Sequence, residues 1–160
     1  MSGDPLRLED LAYELRLLLG ADALVAFIEA DARFGNLVNY FKDSAYLHAR
    51  NLLNALTEQA DTEVGPIPGS IRSAAYRNRI KKSLERYVMH LESARDQIGV
   101  SNIFSDGREL NQHVPDLTTE VRRCWSEWIA ATGDQRLQEI LDSSEESARY
   151  DVSQLKGLMS

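Results

Sequence analysis

Apolar residues recur along this chain at three- and four-residue steps, in long stretches separated by short runs of glycine, proline and aspartate. That spacing puts one oily stripe on each helix. Asp4-Pro5 is a start signal, a carboxylate free to cap followed by proline at the first helical position. Leu8, Leu11, Ala12, Leu15, Leu18 and Leu19 then form the first stripe. Gly20 is expected to end or kink this helix, and Asp22 to cap a second carrying Leu24, Val25, Phe27 and Ile28. The strongest pattern spans residues 32–59, with Phe34, Val38, Phe41, Ala45, His48, Leu52 and Leu56 on one face. "QADTEVGPIPGS" reads as a loop, and a further long helix is expected over residues 74–97 with Ile80, Leu84, Tyr87, Val88 and Leu91 inward.

After an irregular stretch containing the turn Ser105-Asp106-Gly107, Pro115 restarts a helix whose face is Leu117, Val121, Cys124, Trp125, Trp128 and Ile129. Gly133 closes it, and Asp134 caps the next, with Leu137, Ile140 and Leu141 inside. Beyond that the chain turns polar, and residues 143–160 are expected as a weaker, exposed and peripheral helical segment. No stretch alternates with β period, and no internal repeat appears. Stripes of this kind must be hidden against one another. The fold expected is therefore all-α, an up-and-down bundle of four to six helices in a single domain over residues 1–160.

Composition narrows the picture. An apolar fraction of 43% with 27% charged residues is that of a globular chain, not a disordered one. The single cysteine, Cys124, cannot form an intrachain disulfide and sits in an apolar stripe, where an inert thiol is expected. No basic-then-apolar leader and no run long enough to span a bilayer is seen, so the expectation is a cytoplasmic protein with no membrane partner. The net charge is −7, which opposes general nucleic-acid affinity. The distribution is uneven: residues 71–95 carry seven basic and two acidic residues, and the rest of the chain therefore carries −12.

Chemistry is sparse. His48, His90 and His113 lie in separate segments without metal-ligand spacing, and no Glu-x-x-His pair is present, so neither metal nor cofactor is expected. "GPIPGS" lacks the lysine of a phosphate-cradling loop. His48 in "YLHARNLL" is either a core histidine satisfied by a neighbouring helix or, with Asn51 at its flank, part of a polar cluster at a cleft. Arg50 lies about 200° round the helix from His48 and cannot join it. In "ERYVMHLESARD", Arg86 and His90 share one helical face. A guanidinium can grip a phosphate and an imidazole can move a proton, so the pair could promote attack of an RNA 2′-hydroxyl on its own phosphate without metal. Arg79, Lys81, Lys82 and Arg95 would steer the backbone. The plainer reading is two surface residues pairing with Glu85 and Glu92.

"YFKDSAYLHARNLLNAL" followed by "NRIKKSLERYVMHLESAR" and a tryptophan-bearing helix resembles small all-helical HEPN-type proteins, over roughly residues 34–130. That resemblance implies a helical bundle, often a homodimer, whose active members are metal-independent ribonucleases or toxins. Their motif is an arginine, usually followed by a polar residue, with four to six residues before a histidine. Arg86 and His90 are the only candidates for it, and they depart from it: three residues, Tyr87, Val88 and Met89, separate them, and the residue after the arginine is aromatic. Three functions are expected from these observations: an interaction or regulatory bundle, in a defence or toxin–antitoxin setting with a protein partner; a ribonuclease using Arg86 and His90; and a nucleotide or small-ligand binder with a cleft of His48, Asn51, Tyr40, Tyr46 and Tyr87.

Overall fold

A computed structural model describes residues 4–58, 61–72 and 114–160. Among these residues the chain is an all-α bundle of five helices: α1 (Leu8–Ile28), α2 (Leu37–Glu58), the single turn α3 (Gly69–Arg72), α4 (Val114–Thr132) and α5 (Gln135–Met159). A 3-10 turn, Ala32–Phe34, precedes α2, and two-residue strands β1 (Asp61–Thr62) and β2 (Gly65–Pro66) form a small antiparallel ladder after it. The ladder falls within the stretch read as loop. It is held by local bonds, with the Thr62 hydroxyl donating to the Gly65 carbonyl at 2.7 Å, rather than by an alternating apolar pattern.

The start of α1 differs from the expected Asp4 cap. Its N-cap is Arg7, whose side chain makes no cap bond, and the Leu8 N–H donates to Glu63 Oε2 at 3.2 Å. A carboxylate from the β1–β2 turn thus meets the positive helix end. Residue 6 bridges to Thr62 alongside, so the ladder tethers the entry to α1.

Gly20 does not end that helix, and Asp22 does not cap a second one: α1 runs through both. Glycine at position 20 answers a tertiary need, because a Cβ there would lie 3.0 Å from Asp151 Oδ2 of α5. The missing side chain lets α5 come close. Helix α5 itself corrects the expectation of a weak, exposed tail. It is a single helix of 25 residues, and Ser144 and Ala148 in its middle are buried.

The core is built by the stripes. Leu15, Leu18 and Leu19 of α1 meet Ala45, Ala49, Leu52 and Leu56 of α2, with Leu117, Val121, Cys124, Trp125 and Trp128 of α4, all of them buried. Trp125 and Trp128 stack edge to face at 5.4 Å, and the Trp125 Nε1–H donates to the Leu137 carbonyl at 2.8 Å. The α4–α5 corner is set by Gly133 at φ +65°, whose N–H returns to the Ile129 carbonyl at 2.8 Å. Asp134 then accepts from the Arg136 N–H, as a helix cap should.

Contacts give the directions. Glu14 meets His48 and Glu29 meets Lys42, so α1 and α2 run antiparallel. Ser143 and Ser144 share a groove with Asp10 and Tyr13, while Lys156 rests 5.4 Å over the Phe27 ring, so α1 and α5 run parallel. Helix α1 is therefore the middle helix, flanked by α2 on one side and α5 on the other.

Candidate functional site

Two polar arrangements and one groove stand out on this frame. The first lies between α1 and α2. Glu14 follows Leu11 by three residues and precedes Leu18 by four, so it belongs to the buried stripe of α1. There it needs partners, and α2 supplies two. Glu14 Oε2 lies 2.6 Å from His48 Nδ1, and Asn51 Nδ2–H donates to Glu14 Oε1 at 3.1 Å. A carboxylate only accepts, so the proton between them sits on Nδ1 when the ring is neutral. The Tyr13 ring stands edge-on to the imidazole, 6.2 Å away at 84°. His48 is 8% exposed.

His48 and Asn51 are thus brought together, through a residue that the sequence reading did not select. The available signal was a carboxylate inside an apolar stripe. Tyr40 and Tyr46 do not join the cluster: Tyr40 is exposed, and Tyr46 is buried on another face of α2. Arg79, Lys81, Lys82, Arg86, Tyr87, His90 and Arg95 lie outside the described residues. With both carboxylate oxygens of Glu14 engaged, the cluster serves as a lock that sets the register of α2 on α1.

A second cluster ties α1, α4 and α5. Arg122 donates to both oxygens of Glu145, at 2.6 and 3.0 Å, in the side-by-side geometry that a guanidinium favours. Asp22 faces this pair. Loss of water around the Asp22 carboxyl pushes it above its ordinary value; Arg122 opposes that rise, the Thr118 hydroxyl opposes it further, and the charge of Glu145 adds to it. The Thr118 hydroxyl donates to the Val114 carbonyl at 2.9 Å.

A raised carboxyl in the folded state means that folding favours the protonated form. Its unfavourable contribution is absent below the unfolded value near 3.8, sets in as pH rises through the raised value, and persists at neutral pH. Asp22→Asn is therefore expected to raise Tm at pH 7, with the gain shrinking as pH falls toward 4. Melts of both proteins across that range check it. A lower Tm for the variant at pH 7 would mean that attraction to Arg122 outweighs the loss of water.

The groove follows α1 along its side toward α5, and α2 joins the lining only in its second part. One part, about 440 Å³, is lined by Glu9, Asp10, Ala12, Tyr13, Arg16, Ser143 and Ser144. The next, about 340 Å³, is lined by Arg16, Leu17, Gly20, Ala21, Leu24, Phe41, Ser44, Ser147 and Asp151. Arg16 belongs to both, and its guanidinium rests 5.7 Å over the Tyr13 ring. The floor is apolar where Tyr13, Leu17 and Leu24 recur along α1, and the walls are serine and carboxylate. Tyr13, at 51% exposure, is a large aromatic left in water.

Among the described residues no group of three or more His, Cys, Asp or Glu side chains could hold a metal ion, and no helix is long and apolar enough to cross a membrane. No family model matches the chain, and no curated protein or solved structure matches it.

Proposed function

We propose that this chain acts by binding a protein partner, with the groove along α1 as its docking face. The observation that carries this is the groove along α1: among the described residues this helix keeps Tyr13, Leu17 and Leu24 along a channel with polar walls. A contiguous exposed apolar patch rimmed by polar residues marks an interaction site. The Glu14–His48–Asn51 lock supports the same reading, because its paired groups hold α1 and α2 as one rigid wall. A HEPN-type scaffold, a homodimer and a regulatory role in the cytoplasm are compatible with it.

A photoreactive phenylalanine analogue at position 13, in cells making the full chain, tests the proposal. One discrete intermolecular adduct to a protein is expected from position 13 and none from position 138 on the outer side of α5. Equal labelling from both positions, or no protein adduct from position 13, would remove the groove as the docking face.

A further inference from the structure

Charge and shape together say what kind of segment the groove accepts. Three carboxylates line it, Glu9, Asp10 and Asp151, against one cation, Arg16. Arg7 pairs with Glu9 at its mouth and offsets part of that charge. Beyond the rim, the chain outside residues 71–95 carries −12. The lining runs from residue 9 to residue 24, sixteen residues of helix, or about 24 Å at 1.5 Å per residue. A channel of that length, walled by α5 throughout and by α2 over its second part, with apolar residues on its floor and carboxylates and serines on its walls, matches one helix laid along it.

We infer that the partner segment is a basic amphipathic α-helix of four to five turns, its apolar face on Tyr13 and Leu17 and its lysines or arginines toward Asp10 and Asp151. This rests on the groove being the docking face. Apolar contact would supply the register, and the acidic surround would speed encounter and disfavour acidic helices. The short walls Ser44 and Ser147 leave room for the incoming helix.

Fluorescence anisotropy with the full chain and labelled 18-residue peptides tests this. The probe is a leucine–lysine peptide with leucines at i, i+3, i+4 and i+7. The controls are a leucine–glutamate peptide of the same pattern and a scrambled leucine–lysine peptide without an apolar face. The patterned basic peptide is expected to bind about tenfold more tightly than either control, a difference of about 1.4 kcal/mol. Added salt should weaken it by severalfold. Its binding should move the backbone amide resonances of residues 13–24 and 143–151 in the unmodified chain, and Ser147→Trp, which fills the channel, should weaken it about tenfold.

Equal binding of the scrambled peptide, or resonance changes elsewhere, would overturn the inference. So would a dimer in sedimentation whose interface is this groove, or an intrachain adduct from position 13. A discrete protein adduct from position 13 together with no preference for the basic pattern would refute the helix assignment alone. Absence of the adduct would remove the docking face itself.

Discussion

Trp125→Ala is expected to lower unfolding free energy by about 4 kcal/mol, a large part of the whole stability of a domain this size. The indole is 0% exposed, it packs edge to face on Trp128, and its N–H donates to the Leu137 carbonyl at 2.8 Å. Alanine leaves a cavity beside Trp128 at the corner where α4 turns into α5. Trp125→Phe separates the two contributions. It keeps an aromatic ring but removes the donor, and the Leu137 carbonyl still has the helical N–H four residues on. The phenylalanine variant should therefore cost about half as much or less, mostly through lost volume. Urea titration with unchanged m-values is the measurement. A cost below about 1 kcal/mol for the alanine variant would show that the corner repacks, and that the α4–α5 junction is held by something other than this ring.

The second large effect is at the α1–α2 lock. Glu14→Ala removes the acceptor that His48 Nδ1 and Asn51 Nδ2 have among the described residues, and leaves a buried and a half-buried donor without it. A loss of about 2 kcal/mol is expected, the cost of buried donors without partners. Glu14→Gln retains one carbonyl acceptor and should recover part of that loss. The informative comparison is the double variant Glu14→Leu with His48→Leu, which removes donor and acceptor together. Replacing both members of a buried polar pair by apolar residues is far milder than deleting one. If Glu14→Ala and the double variant cost the same, His48 is indifferent to Glu14, and the lock is a crystal-like coincidence of packing rather than a coupled pair.

Much of the fold was legible in the chain because helical periodicity and terminus chemistry are local. The stripe Leu117, Val121, Cys124, Trp125 and Trp128 became the buried face of α4, and Gly133 and Asp134 closed one helix and capped the next. The misreadings share one cause. Gly20 carries a local signal for ending a helix and Asp22 one for starting another, and packing overrode both; the polar run after residue 142 was read as helical, and packing decided which of its residues are buried. Gly20 is tolerated inside α1 because α5 approaches there. Asp22 is held against Arg122 and Thr118 of α4. The polar run stays helical because Ser144 and Ala148, small and poorly marked as core, are what let α5 lie close to α1. Small residues give a weak periodicity signal even where they make the tightest crossings.

The candidate site divides in the same way. His48 and Asn51 could be placed as neighbours from their spacing on α2, since residues three apart share a helical face. Their common partner could not, because Glu14 lies 34 residues from His48 and meets it only through the antiparallel approach of α1. What the amino-acid order determined by itself was the helical character of the chain, the buried stripes of α1 and α4, and an acidic composition set against one basic stretch. The three-dimensional arrangement alone decided that α1 and α5 run parallel, that α1 lies between two neighbours, and that, among the described residues, carboxylates of both helices line a groove along α1. Those are relations between distant segments, fixed by how stripes of unequal size and polarity fit together, and no local pattern encodes them.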